Sequence, residues 1–143
     1  MKQDDITILK EIQKNTQMAM TTIDTLLDKS TDNEFTMSLS KQSLGYAQIY
    51  NDAVGKLVEE GSGTYRNNQI SDIMLRGSVH MNTLTNISTS HLAEMMIQGS
   101  NRGLTNMYKV MKHNSSAQDM SVELARELMD FEEKSIEMMK EYL

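Results

Sequence analysis

The absence of proline constrains this chain more than any other feature. Its 143 residues contain no proline and only 7 glycines, so almost nothing in the sequence breaks a helix. Apolar residues recur three and then four positions apart in four segments, which is the spacing of one helical face, and no segment alternates as a β-strand does. A chain of this length can bury a core of its own. The sequence therefore predicts an all-α four-helix bundle that forms a single domain over residues 1–143.

The helix boundaries follow from this spacing and from the turn residues. Four helices are expected over residues 5–29, about 33–60, from between 69 and 80 to 113, and about 118–142. The third segment is much longer than its neighbours, and Gly77-Ser78 is its expected break, which leaves room for a short extra helix over residues 70–76. Two topologies stay open: up-down-up-down, and a ferritin-like arrangement in which residues 61–79 cross the length of the bundle.

The same spacing predicts the caps and the faces that meet in the core. Thr31 or Asp32 is expected to cap the second helix, and Ser115 or Ser116 the fourth. Glu132 falls in the middle of the fourth apolar face. The expected faces, helix by helix, are Leu9, Ile12, Thr16, Ala19, Met20, Ile23, Leu26 and Leu27; Phe35, Leu39, Leu44, Ala47, Tyr50, Val54, Leu57 and Val58; Leu84, Ile87, His91, Met95, Gln98, Leu104, Met107, Tyr108 and Met111; and Val122, Ala125, Leu128, Met129, Ile136, Met139 and Leu143.

Composition excludes several classes of function. Without cysteine there is no disulfide, zinc finger, iron–sulfur centre or cysteine nucleophile. The formal net charge is -6 and the basic residues are scattered, so nucleic acid is not expected as a partner. Two acids near the N-terminus stand where a signal peptide needs positive charge, and no apolar run is long enough to span a membrane. The expected location is the cytoplasm, with no membrane partner.

Polar chemistry is concentrated between Ser88 and Gly103. His91 and Glu94 lie three positions apart on one predicted helical face, with Gln98 one turn further, and this face is expected to point inward. One interpretation is a buried hydrogen-bond network that sets the alignment of the helices. Simple exposure to solvent is another. The nearby hydroxyls that would complete a network belong to Ser88, Thr89, Tyr46 or Tyr50.

A metal site is the third interpretation of the same residues. None of the three histidines follows a glutamate by three positions, so the Glu-x-x-His pairs of a standard di-iron site are missing. If the last two helices are antiparallel around a turn at Ser115, Glu132 lies level with about Gln98. His91, Glu94 and Glu132 are then the candidate ligands for Fe, Mn or Zn, with His91 fitting less well than the two acids.

Methionine and glycine patterns carry weaker predictions. The 14 methionines suit the filling of an irregular core or a subunit interface, and a Cu(I) site is the less favoured interpretation. Gly99 and Gly103, four positions apart, form a shallow groove where another helix can come close, or else a kink in the third helix.

The residues Met81-Asn-Thr-Leu, followed by the run from Ser88 through Gly99, carry a resemblance to a known group. They resemble small uncharacterised proteins from clostridia and related Firmicutes, which are regarded as ferritin-like helical bundles. The resemblance implies an all-helical, ferritin-like fold in a bacterial protein and brings no established activity. That group usually has Gly-Ser-Thr-Met-Gly after the glutamine, whereas this chain has Asn101-Arg102 in the middle. Because the metal-binding residues of well-studied ferritin-like proteins are absent, their oxidase and storage roles are not carried over.

The leading hypothesis is a non-enzymatic structural or interaction protein that self-associates, as a homodimer through helix faces, and needs no cofactor. The alternative is a metal-binding ferritin-like protein that uses His91, Glu94 and Glu132. An adaptor for another helical protein would show an exposed apolar stripe on the monomer.

Overall fold

The structure is a computed structural model that describes residues 2–63 and 86–143. These residues form four α-helices, α1 (Gln3–Lys29), α2 (Asn33–Glu59), α3 (Thr89–His113) and α4 (Asp119–Lys140), with no strand in either range. The four pack against one another, which confirms the predicted all-α four-helix bundle. No helix among the described residues is long and apolar enough to cross a bilayer.

The start of α3 differs from the prediction. Residues 86–88 are not helical, and Ser88 is the N-cap, whose hydroxyl accepts a hydrogen bond from the His91 backbone N–H at 3.2 Å. A helix that runs unbroken through these residues was therefore wrong, because a serine side chain caps the helix at this point. The predicted break at Gly77-Ser78, the short extra helix at residues 70–76 and His80 lie outside the described residues.

Contacts at the two ends of the bundle fix the helix directions. Near one end, Asp5 of α1 accepts a hydrogen bond from the backbone N–H of Gln118, so α1 and α4 begin together. At the other end, the rings of Phe35 and Tyr142 meet edge to face, with centroids 5.2 Å apart, so α2 begins where α4 ends. It follows that α1 runs parallel to α4, and α2 parallel to α3. The up-down-up-down alternative was wrong, since α2 ends and α3 begins at opposite ends of the bundle.

All four helices contribute to one contiguous apolar core. The faces predicted for α1 and α4 are largely confirmed, including the position of Glu132. On α2 the predicted face was rotated: Leu44 is 68% exposed, and the buried positions two residues to either side of it are Gln42 and Tyr46. The buried residues of α2 are Phe35, Leu39, Gln42, Tyr46, Ile49, Ala53 and Leu57.

The α2 helix is unusual because it has a second apolar stripe, which faces outward. We call it the outer stripe of α2, and it consists of Met37, Ser40, Leu44, Ala47, Asn51, Val54 and Val58. Among its apolar members, Met37 is 61% exposed, Leu44 68% and Val58 62%. Ala47 and Val54 are half-buried. The spacing is three and four throughout, which is the pattern of a coiled-coil seam. An apolar stripe on each side of α2 explains why its inward face was misassigned.

The turn before α4 is held by residues from the far end of the sequence. Asp5 accepts hydrogen bonds from the Gln118 backbone N–H at 2.8 Å and the Ser121 hydroxyl at 2.5 Å. Asp4 accepts one from the backbone N–H of Ser116 at 2.9 Å. The predicted caps of α4, Ser115 or Ser116, were wrong, because carboxylates of α1 take that role. For α2, the Asp32 cap is confirmed, with a 2.8 Å hydrogen bond from the Phe35 N–H.

Candidate functional site

The three residues singled out as possible metal ligands lie in different environments. Glu132 is in the core, at 1% exposure. His91 and Glu94 lie at the surface, with side chains 31% and 54% exposed, and His91 Nδ1 is 3.4 Å from Glu94 Oε2. The expectation that this pair points inward was wrong, because α3 buries the next residues along, Leu92 and Ala93. A shift of one residue turns a helical face by about 100°.

Glu132 also lies at a different level from the one expected. Its carboxylate is packed against Gly103, five residues beyond Gln98 along α3. Two features of the structure both move Glu132 toward later residues of α3. The turn between α3 and α4 is centred near Ser116, and a helical side chain leans toward the N-terminus of its own helix, which here points toward later residues of α3.

This offset separates the candidate ligands. Gly103 is nine residues from Glu94, or about 13 Å along the helix at 1.5 Å per residue. Glu132 therefore does not join the surface pair of His91 and Glu94. Within residues 2–63 and 86–143, no three His, Cys, Asp or Glu side chains are grouped so as to hold a metal ion.

The surroundings of Glu132 come from all four helices. Asn15 of α1 donates a hydrogen bond from Nδ2 to the Gly103 carbonyl at 3.0 Å, which ties α1 to α3 beside the carboxylate. Gly103 is needed here, since a Cβ at this position would collide with Glu132 Oε2 and lie 3.0 Å from Asn15 Oδ1. The predicted close approach at Gly103 is thus confirmed, whereas Gly99 is exposed and has open space around it.

Three oxygen atoms in this region are buried without a hydrogen-bond partner: Glu132 Oε1, Tyr46 Oη and Ser100 Oγ. Such atoms are rare in folded proteins because each costs the free energy of its lost hydration. Tyr46 is fixed in place by Phe131 of α4, whose ring meets it edge to face at 4.8 Å. Ser135, one turn beyond Phe131, donates its hydroxyl hydrogen to the Gln42 side chain. Packing therefore holds the unpaired oxygens where they are.

Burial controls the ionisation of the Glu132 carboxyl and of the Tyr46 hydroxyl. It raises the pKa of Glu132 from 4.5 to about 8, and a hydrogen bond from Asn15 offsets only part of this effect. Burial also raises the pKa of Tyr46, as does the Glu132 charge, against a smaller opposing effect of the Ser100 and Ser135 hydroxyls. These hydroxyls lie near Tyr46 Oη without reaching hydrogen-bond geometry. At neutral pH the carboxyl group of Glu132 is mostly protonated.

A cavity of about 90 Å³ lies between α1 and α3, with Glu132, Tyr46 and Ser100 among its lining residues. Its mouth carries the charged residues Glu11, Lys14 and Arg102. Lys14 Nζ is 3.9 Å from Glu11 Oε2, so two of these charges compensate each other. The walls are mostly apolar or small, with Met18, Ala19, Thr22, Met96 and Gly99. We refer to this space as the α1/α3 cavity.

No family model matches the chain, and the comparisons with curated proteins and with solved structures give no match. What the protein does therefore has to follow from its own surfaces and from the α1/α3 cavity. Sequence reasoning named Tyr46 and Glu132 among the relevant residues but missed Asn15 and Ser100. The available signal was their position between apolar residues at core spacing, such as Asn15 between Ile12 and Thr16.

The two glycines of α3 offer a matched pair of substitutions. Gly99→Ala should stabilise the protein by about 0.5–1 kcal/mol, since alanine favours a helix and nothing lies near the new methyl group. Gly103→Ala should destabilise it by about 1 kcal/mol or more, because the methyl group displaces the buried Glu132 carboxylate from Asn15. Urea unfolding of both variants measures the difference. Equal effects at the two positions would show that Gly103 is not a point of close approach.

Proposed function

We propose that this protein is a non-enzymatic interaction protein that self-associates through the outer stripe of α2. The observation that supports this is the exposure of Met37, Leu44 and Val58 in one coiled-coil-like stripe on a helix that already buries another. A helix that only covers a core needs one apolar face. A second face with heptad spacing is typical of a helix that packs against a further helix.

Charge on α2 supports the same proposal. From Met37 to Val58, the exposed positions of α2 include only two charged residues, Lys41 and Asp52, in a chain of net charge -6. Depletion of charge distinguishes the centre of a protein interface from the remaining surface. The other exposed positions on this side are small or uncharged, such as Gln48 and Gly55.

The outer stripe is complementary to a second copy of itself in the antiparallel direction. If Leu44 is placed opposite Ala47 of the other copy, the same register places Met37 opposite Val54, and Ser40 opposite Asn51. Large side chains then meet smaller ones, and the two polar residues meet each other. Because every pairing occurs twice about a two-fold axis, the interface is closed and gives a dimer. A polar residue within an apolar seam specifies register in this way in coiled coils.

The self-association is tested by measuring mass in solution with light scattering and sedimentation. The wild type should have twice the mass of the chain, and Leu44→Glu should weaken the dimer by roughly 100-fold, because it places a charge at the centre of the interface. Tyr108→Glu, at a position 57% exposed on α3, is the matched control and should stay dimeric. A wild type that stays monomeric at high concentration would refute the proposal.

The antiparallel register has its own test, because the chain contains no cysteine. A mixture of Ser40→Cys and Asn51→Cys chains should form a disulfide between copies on mild oxidation. Ser40→Cys alone should not, whereas it would cross-link in a parallel dimer.

We also propose that the bundle belongs to the ferritin-like class, in which one connection joins opposite ends of the bundle. The parallel directions of α1 with α4, and of α2 with α3, support this assignment. The metal-binding role predicted as the alternative gains no support from the positions of His91 and Glu94. The cytoplasmic location stays a prediction from the sequence.

A further inference from the structure

Methionine is the side chain of this protein that is most readily oxidised. The chain has 14 methionines and no cysteine or tryptophan, so a hydroperoxide in solution reacts mainly with thioethers. Exposure decides which of these thioethers react. In the part of the chain that the structure describes, the exposed methionines are Met37 at 61%, Met120 at 46% and Met138 at 41%. Met37 is the most exposed of them, and it is the methionine of the outer stripe of α2.

The methionines of the core are shielded from the same reagent. Met107 and Met139 are 0% exposed and Met96 is 2% exposed, so an oxidant does not reach their sulfur atoms in the folded protein. A sulfoxide at one of these positions would place a polar group in the core and disrupt its packing. Met37, by contrast, is not among the residues that pack against the core. Its oxidation therefore leaves the four helices packed together.

Oxidation at Met37 changes the outer stripe itself. In the antiparallel register proposed above, Met37 lies opposite Val54 of the second copy, and the two-fold axis repeats this contact. An intact thioether suits the position because it is apolar and flexible. A sulfoxide is polar, and the Val54 side chain has no hydrogen-bond donor for it, so the oxygen would lose its hydration without a replacement. Oxidation of both chains therefore opposes association at two places in the interface.

We propose that Met37 is an oxidation site for hydroperoxides, and that its conversion to the sulfoxide separates the two copies of the chain. This inference rests on the proposed self-association. The sulfur lone pair attacks the terminal oxygen of the hydroperoxide, an S–O bond forms as the O–O bond breaks, and the hydroxyl proton moves to the leaving oxygen. That oxygen departs as water or an alcohol. The sulfur loses two electrons and the peroxide gains them, so no other reactant is needed.

Association and oxidation oppose each other by mass action. The dimer covers Met37, so the oxidant reacts with this residue in the free chain, and the sulfoxide then keeps that chain from associating again. Oxidation of Met37 by hydrogen peroxide should therefore slow as the protein concentration rises above the Kd of the dimer. Met138, on α4, should react at the same rate at every concentration. Mass spectrometry of peptides from the treated protein measures both rates.

Met37→Leu separates this site from every other methionine, because leucine keeps the size and apolar character of the side chain and is not oxidised. After peroxide treatment, sedimentation should show the wild-type dimer weakened at least about tenfold. Met37→Leu should stay dimeric although its other methionines react. Met138→Leu, which removes an exposed methionine outside the stripe, is the matched control and should weaken as the wild type does. A methionine sulfoxide reductase should restore the wild-type dimer, and circular dichroism should show unchanged helix content throughout.

The untreated sample keeps this inference distinct from the proposed function. A wild type that is monomeric before peroxide is added would contradict the self-association, and the inference with it. A wild type that stays dimeric with Met37 converted to the sulfoxide would overturn the inference alone. Equal weakening of Met37→Leu and the wild type would also overturn it, since the responsible oxidation would then lie at another methionine.

Discussion

Raising the pH from 5 to 8 should destabilise this protein, with Glu132 as the main cause. The folded state binds the Glu132 proton more tightly than the unfolded state, since its pKa is about 8 against an ordinary 4.5. The stabilising effect of this protonation is fully present below pH 4.5 and is lost as the pH rises through 8. Over the interval from pH 5 to pH 8 the unfolding free energy should fall by roughly 3 kcal/mol.

Urea unfolding at several pH values measures this effect, and Glu132→Gln isolates it. The variant keeps the shape of the side chain but does not titrate, so most of the pH dependence should disappear. Asp5 does not interfere, because its pKa is lowered and its contribution changes only at more acidic pH. Glu11 acts in the same direction as Glu132 from a partly exposed position, and its effect is present in both proteins. Wild-type and Glu132→Gln curves with equal slopes would contradict the prediction.

Asp5→Ala should cost about 3 kcal/mol of unfolding free energy, which is large for a residue next to the N-terminal end of a helix. Burial raises the pKa of Asp5, but hydrogen bonds from Ser121, Gln118 and Lys2 lower it by more, so the group is a buried carboxylate with charge-assisted bonds. Removing it leaves the Gln118 N–H without its acceptor, and leaves the buried Ser121 hydroxyl with only the longer hydrogen bond to the Gln118 carbonyl, at 3.2 Å. The first turn of α4 would lose its cap and its tie to α1.

The neighbouring acid gives the matched control. Asp4 accepts a single, exposed hydrogen bond from the Ser116 N–H, so Asp4→Ala should cost less than about 1 kcal/mol. Thermal unfolding should place the melting temperature of Asp5→Ala about 10 °C below that of the wild type, with Asp4→Ala close to it. If the two variants lose equal stability, the effect is one of helix N-terminal charge and not of the contact with α4.

Much of the fold could be predicted from the sequence because the apolar residues of α1 and α4 recur with a regular helical spacing on one face of each helix. The turn at Asp32 and the placement of Glu132 on the buried face of α4 were both correct. The face of α2 was not, because Leu44 and Val58 are apolar residues that lie outside the core. Hydrophobicity alone does not say which of two apolar stripes is buried.

The site was harder to predict for a related reason. His91 and Glu94 are chemically active residue types, but whether their side chains face the core depends on the rotation of α3 about its axis. An error of one residue changes that rotation by about 100°. The level at which Glu132 meets α3 depended on the centre of a turn and on the lean of its side chain. Asn15 and Ser100 were missed because polar residues within an apolar pattern look like interruptions until the helices are packed together.

The tie between Asp5 and Ser121 spans almost the whole chain, and this has a consequence for biosynthesis. While the ribosome is still making the earlier helices, the carboxylate of Asp5 has none of its partners from the last one. The hydrogen bonds between α1 and the start of α4 therefore form only after the α4 segment has left the exit tunnel. Nascent chains that stop short of this point would expose the beginning of α1 to proteases and chaperones, so translation through α4 is a condition for a closed bundle.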